Sequence, residues 1–271
     1  MKKSIIVLLL LVAFTSCEKV IDVGLNTGEP KLVVEASINW YEATDGSQQK
    51  IKLSTTTDYF ASTVPPVTDA VVFITNTAGQ TFTFLQNTTP GTYECSNFIP
   101  IVNEEYTLTI SYQGEMYTAT DKLLDTPQIT RVEQKDDAGF LGNETEVKFF
   151  YDDFDNETNH YFLRIDDPYK VIPEYGVLED RFFQNNEMFA LYFSEDLKPS
   201  DTLKLTLNGI NQNYYNYMNI LLAQTGSSSA GPFSTPTSTV RGNVVNQTDF
   251  NNFALGYFRL SKTSVREYII Q

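Results

Sequence analysis

"EYTLTISY", residues 105–112, decides the fold class. Tyr106, Leu108, Ile110 and Tyr112 fall on one face of an extended chain, and Thr107, Thr109 and Ser111 on the other. That period of two belongs to a strand with one dry face and one wet face. "TLKLTL" (202–207) repeats it with Leu203, Leu205 and Leu207, and "HYFLRI" (160–165) with Tyr161, Leu163 and Ile165. The same reading predicts strands at 31–39, 50–56, 70–76, 80–85, 115–120, 128–134, 145–151, 187–193 and 253–269. "NTAGQ", "TPGTY" and "YQGEM" place turn signals at short intervals, as antiparallel sandwiches require. With 19 Phe and 16 Tyr, the composition suits a sheet-rich core and not a disordered stalk.

One segment reads as a helix, at about 212–224. In "NQNYYNYMNILLAQTG", Tyr214, Tyr217, Met218, Leu221 and Leu222 fall at i, i+3, i+4, i+7 and i+8, one apolar stripe. Asn211 is the expected N-cap and Gly226 the expected stop. Thr126-Pro127 in "LLDTPQI" interrupts the strand pattern, because proline favours an extended or turn link. The fold expected is therefore mainly β, two packed antiparallel β-sandwich-like units. An N-terminal Ig-like sandwich would occupy 30–125, and a second β-rich domain carrying the helix would occupy 126–271.

The amino terminus gives an address. Met1-Lys2-Lys3 is basic, and Ile5 to Phe14 is a ten-residue apolar run, half of the ~20 residues that span a bilayer. A basic start, a short apolar core and small residues before a cut make a secretory signal. It ends Phe14-Thr15-Ser16-Cys17, which resembles the lipobox of bacterial lipoproteins. Residues 1–16 are then a signal peptide, Cys17 is the lipidation site and 17–29 is a tether. Two or more acyl chains give stable anchoring where one is marginal. Cys95 is left without a disulfide partner and reads as a small buried apolar residue.

Charge narrows the partners. The chain carries −15, and −17 once Lys2 and Lys3 are removed, so phosphate backbones and anionic head groups repel it and nucleic acid is disfavoured. Residues 133–196 hold 17 acidic and 5 basic side chains, yet Leu205 to Val240 contains none of either sign. Polar, uncharged, aromatic-flanked surface suits a protein partner or a neutral glycan or peptide, because no ion needs desolvating. Tyr215 in the helix and Phe233, Ser234 and Pro236 in the loop after it are the expected contacts. From Gly226 to Asn252 there is little periodicity, and loops of that length are usually functional or disordered.

The chain is similar to a family of bacterial outer-membrane lipoproteins known as domain of unknown function 4249. "CEKVIDVGLNTGEPKLVVEASI", "VTDAVVFITNTAGQTFTF", "YTLTISYQGEMYTAT" and "GPFSTPTSTVRGNVV" carry the resemblance. The family's glycine-rich stretch after its P-F-S-x-P element is here "NQTDFNNFALGYF", with only Gly256 remaining. The resemblance implies an accessory surface lipoprotein that accompanies a TonB-dependent outer-membrane transporter. Glu18 and Asp22 resemble the acidic signals that send some lipoproteins to the outer face.

Chemistry is thin. In "YDDFDNETNH", Asp153, Asp155 and Glu157 alternate as calcium ligands would. Thr158 stands where the loop needs glycine and Arg164 where it needs a bidentate Glu, so a polar turn is the expected reading. His160 is the only histidine, no G-x-S-x-G elbow is present, and zinc sites built from His and Cys are out of reach. No cofactor and no catalytic residue is expected. The reading is a non-enzymatic accessory binding or docking subunit. A stand-alone glycan- or peptide-binding lipoprotein is the alternative, and a hydrolase the remote third.

Overall fold

β1 (Leu32–Tyr41) starts the sheet because Leu32, Val34, Ala36 and Ile38 alternate into one core. The computed structural model describes residues 28–154, 158–181, 186–225 and 239–271. Within them follow β2 (Gln49–Thr55), β3 (Val71–Asn76), β4 (Thr81–Gln86), β5 (Thr92–Cys95), β6 (Glu105–Tyr112) and β7 (Glu115–Leu124). Next come β8 (Ile129–Ala138), β9 (Glu144–Asp152), β10 (His160–Asp166), β11 (Glu174–Glu179), β12 (Glu187–Ser194) and β13 (Thr202–Ile210). Helix α1 (Gln212–Thr225), the short β14 (Val245–Asn246) and the long β15 (Leu255–Ile269) complete the chain. It is mainly β, with one helix among the described residues.

Twelve strands form one sheet, ordered β11-β10-β13-β15-β1-β2-β5-β4-β3-β6-β7-β14. The segment from β15 to β7 closes on itself, because Leu260 and Ser261 pair with Leu123 and Leu124. The result is an eight-stranded, barrel-like ring around Val34, Ile38, Phe84, Tyr106, Leu108 and Phe258. Cys95 is 2% exposed in this core, where burial pushes its thiol pKa up. A separate sheet, ordered β12-β9-β8, supplies Phe149, Tyr151 and Tyr192 to a second core. Tyr161, Leu163, Leu203, Leu205 and Leu207 complete it from β10 and β13.

Two features depart from the antiparallel pair of sandwiches read from the sequence. β15 lies parallel to β1 from Val33↔Leu255 to Tyr41↔Thr263, and parallel to β7. Parallel neighbours need a long crossover, and here residues 42–254 separate β1 from β15 and residues 125–254 separate β7 from it. The two cores also share a strand, because β15 continues past Thr263 to pair antiparallel with β13. The aperiodic segment from Gly226 to Asn252 is not loop throughout its described part either, since β14 adds to β7 through Val245↔Thr118.

Thr126 pins this junction. Its hydroxyl accepts from the Gly209 amide at 2.7 Å, lies 3.2 Å from the Ser261 hydroxyl and reaches the Lys262 carbonyl. Gly256 is required where β15 enters. Its φ is +88°, and a Cβ there would stand 2.0 Å from the Val34 carbonyl oxygen. Gly256→Ala is expected to destabilise the fold by about 3 kcal/mol, from left-handed strain plus backbone collision. Thermal unfolding followed by circular dichroism would show a midpoint lower by about 10 °C.

Candidate functional site

The strands that feed the cores with every second residue turn the others outward onto a common surface. β10 presents Phe162, Arg164 and Asp166, and β13 presents Lys204, Thr206 and Asn208. β15 presents Tyr257, Arg259 and Thr263, while β1 presents Glu35, Ser37 and Asn39. Helix α1 lies across this surface. Asn211 caps it by accepting from the Tyr214 amide at 2.8 Å, the bond that satisfies an otherwise orphan N–H. The stripe read from the sequence faces down: Tyr214 and Met218 are buried, and Tyr217, Leu221 and Leu222 pack beside them.

Between helix and strands a cleft of 720 Å³ remains open. Its walls are aromatic. The Tyr214 ring meets Tyr257 edge-on at 4.8 Å and Phe162 at 5.8 Å, while Tyr217 tilts onto Tyr257 at 5.0 Å. Tyr175 stacks on Phe162 at 5.7 Å. Burial raises the pKa of the Tyr217 and Tyr257 hydroxyls.

Arg259 lies among these rings. It is 5% exposed, with Cζ 5.4 Å from the ring centroids of both Phe162 and Tyr214. Ring faces ease the cost of a buried cation. Yet among the described residues Nε and Nη1 have no hydrogen-bond partner. Its neighbours are satisfied: the Thr263 hydroxyl donates to Asn208 Oδ1 at 2.9 Å. Asp121 of β7 acts on Arg259 through space, but its Oδ1 accepts from Asn211 Nδ2 at 2.6 Å and the Lys122 amide at 2.8 Å.

A second polar cluster lies at the start of β10. The Tyr161 hydroxyl donates to Asp153 Oδ1 at 2.6 Å, and the Asn159 amide donates to Asp180 Oδ1 at 2.8 Å. Asp180 is fully buried, and among the described residues Oδ2 of both acids lacks a partner. Burial, reinforced by Asp180, pushes the Asp153 carboxyl upward despite the Tyr161 bond. Of the calcium candidates, Asp153 turns inward to this pair, and Asp155 and Glu157 lie outside the described residues. Among the described residues, no three His, Cys, Asp or Glu side chains converge as a metal site.

The remaining expected residues are dispersed. Tyr215 does not line the cleft. Its ring sits 4.8 Å from that of His160, whose Nε2 stands 3.5 Å from Glu179 Oε1. Phe233, Ser234, Pro236, Gly226 and Cys17 lie outside the described residues. Sequence reading passed over Arg259, Tyr257, Phe162 and Tyr175. The available signal was a lone arginine in "GYFRLS" (256–261), placed by strand alternation on the same side as Tyr257.

A family model described as "Domain of unknown function (DUF4249)" matches residues 18–267. No curated protein matches the chain. Among solved structures, a cytokine receptor complex aligns over 68% of this chain and 87% of its own, at 8% identity and TM-score 0.27. A segment of two fibronectin type-III domains from chicken tenascin aligns over 67% and 91%, at 8% identity and TM-score 0.22. The FN1–FN3 domains of chicken CNTN1 align over 67% and 61%, at 13% identity and TM-score 0.26.

Asp121 supplies a pH test of the cleft. Burial, only partly offset by its hydrogen bonds and by Arg259, raises its carboxyl from 3.8 to about 6. A carboxyl raised by folding keeps its proton where the unfolded chain has released it. Its contribution is whole below about pH 4 and lost as pH rises through about 6. Asp121→Asn, which keeps an acceptor for Asn211, should leave stability at pH 4 little changed. At pH 7.5 it should raise stability by about 2 kcal/mol, as read by urea unfolding at the two pH values.

Proposed function

We propose that this chain, which belongs to the DUF4249 family, is an outer-membrane lipoprotein working as a non-enzymatic accessory binding subunit beside a TonB-dependent transporter. The observation that carries a binding role is the cleft under α1. A concave, mostly apolar site with a few convergent polar groups is the usual form of a ligand pocket, and 720 Å³ is within its usual size. The membrane address rests on the signal sequence and Cys17. From Cys17 to Leu32, where β1 begins, fifteen residues can reach at most about 50 Å. The folded body would therefore stay close to its leaflet.

A partner surface is favoured by β12, the edge of the three-stranded sheet. Phe189, Leu191 and Phe193 alternate outward along it, all partly exposed, and an unpaired edge with apolar side chains is a natural place for another chain to add. On the finer architecture, we read the two packed units as sandwich-like bodies merged along β15, the first of them Ig-like. The alternative function is a stand-alone surface protein that captures a neutral glycan or peptide, which the tyrosine faces of the cleft favour.

The expected result of mass spectrometry is a mature amino terminus at Cys17 carrying acyl chains, with Cys17→Ala released from the membrane fraction. Photo-crosslinkers at Leu191 are expected to capture a TonB-dependent transporter in intact membranes. Capture of none would leave the stand-alone reading, and an unacylated chain would remove the membrane address.

A further inference from the structure

We propose that Arg259 is the recognition group of an anion site in this cleft, and that the ligand it takes is an organic acid, a single carboxylate on an apolar stem. The inference rests on reading the cleft as a ligand site.

The unpaired cation is the first reason. A buried charge is ordinarily both paired and hydrogen-bonded. Arg259 is 95% buried, and among the described residues nothing bonds its Nε and Nη1. A carboxylate approaching the guanidinium side-on meets Nε, and one approaching end-on meets Nη1, so either bidentate geometry recruits an unused donor. Phe162 and Tyr214 hold the guanidinium between them without accepting those in-plane hydrogen bonds.

The charge balance of the cleft is the second reason. Three basic and two acidic side chains line it in a protein whose net charge is −15. Asp166 is taken by Arg164 at 2.6 Å, and Glu35 by Lys52 at 3.3 Å. Lys204 at the rim and Arg259 at the base remain. No Asp or Glu occurs between Leu205 and Val240, so the chain leaving the cleft at Thr225 brings no counter-ion. The molecule's overall charge repels polyanions, which leaves a singly charged acid. Tyr214, Tyr217, Met218, Leu221 and Leu222 then offer apolar surface to its stem.

The test is isothermal titration calorimetry at pH 7.5 on the mature chain carrying Cys17→Ala, so that no detergent competes. The probes are 6-phenylhexanoate and its neutral amide, 6-phenylhexanamide. Run beside them is acetyl-Gly-Leu-Phe with a free or an amidated carboxyl terminus. The acid is expected to bind at least about tenfold more tightly than its amide in one of the two pairs. The pair with the larger ratio tells whether the source is an aliphatic acid or a peptide terminus. Arg259→Met is expected to bring that ratio to about one while melting no lower than the parent, because an unpartnered buried charge has been removed. Arg259→Lys keeps the charge and should keep part of the ratio. Leu222→Trp should fill the cleft and abolish both ligands.

Equal binding of acid and amide by the parent, or a ratio that survives Arg259→Met, overturns the role given to Arg259 while the cleft remains a binding site. No binding of any probe at about 1 mM overturns both.

Discussion

One strand holds the molecule together. β15 runs for fifteen residues and is hydrogen-bonded to β1, β7 and β13 in turn. The change of partner falls at Thr263, which faces Tyr41 on one side and Asn208 on the other. Phe258 and Leu260 project into the ring, whereas Tyr257, Arg259 and Thr263 project under the helix. Such a strand tolerates little, since β1 lines it from Leu255 to Thr263, β7 at Leu260 and Ser261, and β13 from Thr263 to Ile269. This is why Gly256 and Gly242 meet there at backbone distance, a Cβ on Gly242 standing 1.5 Å from the Gly256 carbonyl oxygen. Asn243 locks the same approach by bonding both the amide and the carbonyl of Phe258, at 2.9 and 2.8 Å.

A consequence follows for the polar residues. Strand alternation normally sends them to water, but α1 and the neighbouring strands cover this surface, so Thr206, Asn208, Ser261 and Thr263 are buried. Buried polar groups must find partners, and here they do so locally. Thr263 bonds Asn208, and Ser261 and Thr126 share the Lys262 carbonyl. At the edge of the ring, Gln49 Oε1 accepts from the Asn39 amide. Against that background the bare guanidinium edges of Arg259 stand out. Thr263, Asn208, Ser261 and Thr126 are bonded, whereas Arg259 Nε and Nη1 are left without a partner among the described residues.

Much of this architecture could be read from period alone. β6, β10 and β13 fall where "EYTLTISY", "HYFLRI" and "TLKLTL" place them, and the stripe from Tyr214 to Leu222 faces inward as its spacing requires. Period says which side of a strand is dry; it does not say what covers the other side. In "TLKLTL" alternation turns Thr206 away from the leucine face toward water, yet it is buried, because a helix that comes later in the chain lies over that side. The parallel pairing of β1 with β15 joins residues more than two hundred positions apart, and no local pattern encodes such a contact. The cleft draws on β1, β10, β11, β13, β15 and α1 together, so its residues share no motif. In "YDDFDNETNH" the alternation suggested ligands, whereas Asp153 is answered by Asp180, a residue far outside that decapeptide.

The charge-free stretch from Leu205 to Val240 now has a physical setting. It begins inside β13 and runs through α1, the two elements that floor and roof the cleft. A carboxylate on either inner face would pair with Arg259 and close the site permanently. A second cation there would add repulsion to a group already short of partners. Neutral tyrosine, asparagine and leucine avoid both outcomes, and Asp121, which acts on Arg259 through space, is occupied by the helix cap through Asn211. Fold and site therefore make the same demand on this segment: apolar enough to seat the helix, and uncharged enough to keep one buried cation available.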